Sequence, residues 1–171
     1  MMRRAWLRGW IERVRRPSIR PSVLPGFGQL LDSFVVRYDT DRIWAARRAM
    51  DAASKMGLGR QACAEVGVIV SELVTNAVKF AGSGRVQLHG RGDAMEIVVE
   101  DAGPGLADPE TAVVDGYSEG AMRSPDDDPR VRRGLGSGLG AVKRLADELV
   151  ITRRAEGGTR VRVVKRARIR R

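Results

Sequence analysis

Three short clusters hold residues whose types and spacing could do chemistry. Glu72, Asn76 and Lys79 recur at three- and four-residue spacing. On a helix that spacing brings a carboxylate, an amide and an ammonium onto one face. Asn offers a neutral oxygen for Mg²⁺, an ion that keeps few protein ligands when phosphates supply the rest. Glu can orient or deprotonate a nucleophile, and Lys can meet phosphate charge. The same stripe also suits a solvated helix edge with a Glu–Lys pair, and alone it favours that plainer reading.

The second cluster is Asp101-Ala102-Gly103-Pro104-Gly105, at the end of an apolar strand. Two glycines around a proline make a tight turn and let a backbone come close to a flat base. An ionised carboxylate accepts hydrogen bonds only, so one held at a strand end would select an amino group such as that of adenine. A simple turn former is the competing reading of Asp101. The third cluster, Gly134-Leu135-Gly136-Ser137-Gly138-Leu139-Gly140, enters a helix. Free N–H groups and the helix dipole make an anion site there. No Lys-Ser or Lys-Thr closes the loop, so the Walker pattern fails. The dinucleotide pattern needs a preceding buried strand, which Asp126-Asp127-Asp128-Pro129-Arg130 cannot be. The loop reads as a phosphate cradle of another kind.

These clusters need elements to position them. Phe34–Tyr38 reads as a short strand, and Asp39, Thr40 and Asp41 offer capping chemistry for a helix over Arg42–Met56. A second helix, Arg60–Phe80, has Val66, Val70, Leu73, Ala77 and Phe80 at the spacing of a core-facing stripe. Strands over Arg85–His89 and Met95–Glu100 form a hairpin through Gly90–Asp93. The polar stretch Tyr117–Arg133 reads as a mobile lid. A helix over Leu139–Glu148 precedes strands over Leu149–Arg153 and Thr159–Lys165. Helices followed by antiparallel strands imply an α+β two-layer sandwich, a mostly antiparallel sheet covered by helices on one face.

The 171 residues, 43% hydrophobic and 30% charged, suit one globular domain. It spans 34–165, between a basic N-terminal extension (1–33) and a basic C-terminal tail (166–171). The net charge of +10 is uneven. Residues 1–20 carry seven arginines against Glu12, and 160–171 carry seven basic residues and no acid, so the body between them is mildly acidic. That distribution, with 5% aromatic residues, argues against specific nucleic-acid binding. The basic ends read as solvated extensions. Trp6, Leu7, Trp10, Ile11 and Val14 also permit an amphipathic helix in weak contact with an anionic membrane surface. No apolar run is long enough for a membrane helix. The lone Cys63 precludes an intrachain disulfide and reads as a buried, inert thiol. Together these features point to the cytoplasm.

In their order along the chain, the clusters resemble the nucleotide site of the gyrase/Hsp90/histidine-kinase/MutL ATPase superfamily, which has the Bergerat-type fold. Glu72–Lys79 looks like its N box and Asp101–Gly105 like the adenine-reading G1 box. Gly136-Ser137-Gly138-Leu139 looks like the G2 box, and Gly157-Gly158-Thr159 like the closing threonine motif. The chain is most similar to the anti-sigma regulatory serine/threonine kinases, with Asp115–Ser118 and Ala141–Glu148 closest to the stressosome switch kinase. The resemblance implies ATP and Mg²⁺ as cofactors, with Asn76 holding the metal. Lys79, Asp101, Gly103, Gly105, Gly134, Gly136, Gly138, Leu139 and Thr159 would bind nucleotide, and Glu72 would be catalytic. It also implies phosphorylation of a STAS-domain antagonist or scaffold protein in sigma-factor or stress-response control, with a sigma factor or phosphatase as further partners. The alternative is an ATP-binding anti-sigma factor that sequesters a sigma subunit. A histidine-kinase fragment fits poorly, because the only histidine, His89, falls in a strand.

Overall fold

The structure, a computed structural model, describes residues 28–105, 117–118, 121–122 and 138–167. The first element, β1 (Gln29–Val36), is followed by α1 (Asp41–Lys55) and α2 (Arg60–Ala81). Then come β2 (Gly84–Arg91), β3 (Ala94–Asp101) and the short pair β4 (Tyr117–Ser118) and β5 (Ala121–Met122). Helix α3 (Gly138–Leu145) leads into β6 (Glu148–Arg153) and β7 (Thr159–Arg166). Five strands form one sheet in the order β1-β2-β3-β7-β6, every neighbouring pair antiparallel.

Alternation along the strands decides which face is covered. Val86 and Leu88 of β2, Met95, Ile97 and Val99 of β3, and Val161 and Val163 of β7 point into one core. Helix α2 meets that core with Val66, Ile69, Val70 and Leu73, each at most 2% exposed. Small residues Ala45, Ala49 and Ala53 of α1 pack into the same cluster, which lets the two helices lie close. The expected α+β sandwich with helices on one face is what folds. Cys63 is buried there, its thiol donating to the Leu58 carbonyl at 3.2 Å, and burial pushes its pKa up.

Three expectations need correction. The first strand starts at Gln29, not Phe34, so residues 29–33 belong to the sheet rather than to the extension. A bulge between Leu30 and Asp32 breaks the alternation that would have revealed it. Beyond the bulge Asp32 meets Arg48 of α1 through two hydrogen bonds (2.6 and 2.8 Å), and that guanidinium also lies 4.8 Å from the Phe34 ring centroid. Second, Thr40 makes no side-chain cap at α1. Asp41 instead reaches back, accepting the N–H groups of Arg37 (2.7 Å) and Tyr38 (2.9 Å) and the indole N–H of Trp44 (2.9 Å).

Third, the charge near the C-terminus is not all solvated tail. Strand β7 runs to Arg166, and four of its basic residues are paired. On the sheet face away from the helices, Arg160 meets Glu100 (2.5 Å), Arg162 meets Glu96, and Arg166 meets Glu148 (2.7 Å). On the core side Lys165, 2% exposed, pairs with Glu65 and donates to the Leu145 carbonyl at the end of α3 (2.7 Å). A buried ammonium is tolerable only with such partners.

Candidate nucleotide site

The centre of the site is the end of β3. Asp101 Oδ1 accepts two backbone hydrogen bonds, from Gly103 N–H (2.9 Å) and Thr159 N–H (3.1 Å). The first closes the turn after the strand, and the second ties β3 to the start of β7. Both go to one oxygen, and no described residue is bonded to Oδ2. The carboxylate is therefore fixed in orientation with one acceptor to spare. Thr159 is 6% exposed beside it.

Close backbone approach makes this arrangement possible. Gly158 has φ +89°, and a Cβ there would fall 2.0 Å from the Asp101 carbonyl oxygen. Any side chain would drive the two strand ends apart. Gly103 sits against the end of α2, where a Cβ would lie 2.9 Å from the Ala81 Cβ and 3.0 Å from the Phe80 carbonyl oxygen. This turn joins the strand-borne and helix-borne parts of the site. It also explains why Phe80 is not the core residue its spacing suggested. At that end the helix packs against the turn through Ala81 and backbone, and the Phe80 ring is 49% exposed under the Lys79 ammonium, 5.3 Å from its centroid.

Helix α2 carries the second part. Glu72 is 6% exposed, Asn76 is half-buried and Lys79 is exposed, so the stripe emerges from the core toward solvent along one helix edge. A solvated helix edge would not bury its carboxylate. Among the described residues no cluster of three His, Cys, Asp or Glu side chains could hold a metal ion, so a metal here would lean on Asn76 and on oxygens from a ligand. At the third part, Gly138 starts α3 with φ +50°, and Leu139 is 8% exposed against the core. Gly105, with φ +79°, lies next to Arg153. Gly134 and Gly136 lie outside the described residues, as does most of the Tyr117–Arg133 stretch read as a lid, of which only the β4–β5 pair is described.

One contributor carries no signal in the sequence. The Arg154 guanidinium, in the turn between β6 and β7, donates to the Asp101 carbonyl at 2.8 Å through Nη1, and its Nη2 pairs with Glu156. The Glu156 carboxyl is held below its ordinary range by its own backbone N–H and then by Arg154. His89 takes no part in the site. It lies in β2 on the face away from the helices, its Nδ1 3.2 Å from the Gly28 carbonyl oxygen.

A five-stranded antiparallel sheet with helices on one face, an Asp-Gly turn at a central strand end and a Glu/Asn/Lys edge on the adjoining helix define an ATPase domain of the histidine kinase-like class. The chain belongs to that family: residues 36–165 match the histidine kinase-like ATPase domain. It is similar to the serine/threonine-protein kinase RsbT of Bacillus subtilis (strain 168), with 32% identity over 129 residues, 73% of this chain and 88% of that protein. Among solved structures it resembles a chain of the SiaB–SiaC complex from Pseudomonas aeruginosa (TM-score 0.55, 12% identity, 80% of this chain and 89% of that one). It also matches the histidine kinase domain of the E. coli osmosensor EnvZ (TM-score 0.42, 19% identity, 86% and 95%). Among the described residues no helix is long and apolar enough to cross a membrane.

Proposed function

We propose that this chain is a protein serine/threonine kinase that uses Mg-ATP to phosphorylate a STAS-domain regulatory protein in sigma-factor or stress-response control. The observation that carries the reading is the 32% identity to a serine/threonine kinase across 88% of that protein. The site supports it in detail. Asp101, held by two backbone N–H groups, would read the adenine amino group through Oδ2, with Thr159, Gly103 and Gly105 shaping the base pocket. Gly134, Gly136, Gly138 and Leu139 would line the phosphates, and Lys79 would neutralise part of their charge. Asn76 would hold Mg²⁺, which supplies charge neutralisation on the phosphates. Glu72, in a largely buried position on the same helix edge, would orient the substrate hydroxyl or take its proton. The reading carries with it a cytoplasmic site of action, and a sigma factor or phosphatase as further partners.

Two measurements test it. Asp101→Asn replaces an acceptor with a donor facing the adenine amine. ATP affinity by calorimetry is expected to fall roughly tenfold to a hundredfold, the worth of a charged hydrogen bond. Equal affinity in both proteins would remove Asp101 from the base pocket. Transfer of labelled γ-phosphate to the STAS-domain proteins of the same genome is the second measurement. If none is labelled while a sigma factor binds the chain tightly, the kinase reading fails and the chain is a sequestering anti-sigma factor.

A further inference from the structure

The turn between β6 and β7 does more than connect two strands. It folds back on itself through Arg154 N–H to Gly158 O (3.1 Å) and Gly157 N–H to Arg154 O (3.2 Å). From this compact loop the Arg154 guanidinium crosses to the end of β3 and donates to the Asp101 carbonyl at 2.8 Å. Glu156, on the same loop, pairs with the opposite side of the guanidinium and fixes its plane. Asp101 is thus gripped three ways by one hairpin. Its carbonyl takes Arg154, its carboxylate takes Thr159 N–H, and Gly158 closes the space between the strands.

We infer that Arg154 is a positioning residue that sets the base selectivity of the nucleotide site, by holding Asp101 at the angle from which it discriminates adenine from guanine. This rests on the adenine-reading role proposed for Asp101. Where adenine carries an amino group, guanine carries a carbonyl oxygen, and a fixed carboxylate attracts the first and repels the second. The discrimination depends on the carboxylate's not turning away. Its side chain leaves the same residue whose carbonyl Arg154 anchors, so release of the carbonyl frees the strand end to rotate. The guanidinium side chain is 24% exposed, and the group it meets at the strand end is the Asp101 carbonyl.

The test measures binding of ADP and GDP to the full chain by calorimetry, since neither carries a transferable phosphate. Wild type should prefer ADP, and Asp101→Asn should erase most of that preference. Arg154→Ala should shrink the ADP-to-GDP affinity ratio roughly three- to tenfold, the worth of one ordinary hydrogen bond, chiefly through weaker ADP. Arg154→Lys keeps the charge but not the fork and should lose most of the same ratio, which decides the matter should the alanine variant fold poorly. Glu156→Gln should move the ratio the same way by less. A merely destabilised site would bind both bases more weakly and keep their ratio. If both Arg154 variants keep the wild-type ratio while Asp101→Asn reduces it, Arg154 does not position Asp101 and the reading of Asp101 stands. If wild type shows no preference, or Asp101→Asn retains it, the reading of Asp101 fails and this inference fails with it.

Discussion

The two ends of the proposed nucleotide site are built on different principles. At the base end, function sits on a sheet. Asp101 is tied to its own turn at Gly103 and to Arg154 and Thr159, distant in sequence, and two glycines are there because neighbouring atoms leave no room for a Cβ. At the phosphate end, function sits on a helix edge and a helix start. Glu72, Asn76 and Lys79 share a face through local periodicity alone, and no described residue lies within 4 Å of the Gly138 Cβ position. A base is flat, rigid and read by a few fixed acceptors, so its pocket gains from being knit into the fold. Phosphates are charged and accommodated by groups that can adjust, so their half can be carried by exposed side chains such as Lys79. The difference teaches that mutations at the base end should act through geometry, and those at the phosphate end through chemistry.

The largest expected effect tests the chemical half. Glu72→Gln keeps size and hydrogen bonding but removes the basic charge. Phosphate transfer to a STAS partner should fall by about 10²–10⁴-fold, as is usual for loss of a general base. ATP affinity should stay near wild type, because no geometry is disturbed. Transfer at the wild-type rate would show that Glu72 is not the base. A parallel collapse of ATP affinity would show that this half, too, depends on packing.

Next comes the geometric half, probed at Gly158. Alanine there meets a left-handed φ costing about 1–2 kcal/mol, and a contact 2.0 Å from backbone that only a strand shift relieves. Overpacking of that kind adds about 1–3 kcal/mol. Gly158→Ala should therefore lower Tm and weaken ATP binding roughly tenfold or more, with little change in the transfer rate at saturating ATP. A variant with normal affinity and a slow transfer step would break the distinction between the halves.

The same division governs how much could be read from the sequence. The Glu72/Asn76/Lys79 edge was legible because helical spacing places residues without knowledge of the rest of the fold. Asp101 was legible as a carboxylate at the end of an apolar run followed by Gly-Pro-Gly. The Arg154 contact was not, since it joins residues 53 apart through a turn with no periodicity. Phe80 fits the helical stripe, but periodicity does not say where the facing sheet ends. The early start of β1 was hidden by its bulge, which puts exposed Leu30 and Leu31 beside half-buried Asp32. Arginines 160, 162 and 166 looked like a charged tail because their carboxylate partners lie on other strands. Local rules found the elements and clusters, and pairing across the sheet supplied the rest.

The smallest expected effect separates the two kinds of glycine. Gly138 has φ +50°, in the left-handed region, but no described residue lies within 4 Å of its Cβ position. Alanine there meets only the conformational cost, about 1–2 kcal/mol, and part of it is offset because alanine reduces the freedom of the unfolded chain by about 0.4–1 kcal/mol. A net loss near 1 kcal/mol corresponds to roughly 2–4 °C in Tm for a chain of this size. Gly138→Ala should thus melt only slightly earlier than wild type and bind ADP within about fivefold of it. Gly158→Ala, measured alongside, should lose clearly more of both. If instead Gly138→Ala loses nucleotide binding outright, the cradle needs that backbone as tightly as the base pocket needs Gly158, and the phosphate end is as rigidly built as the base end.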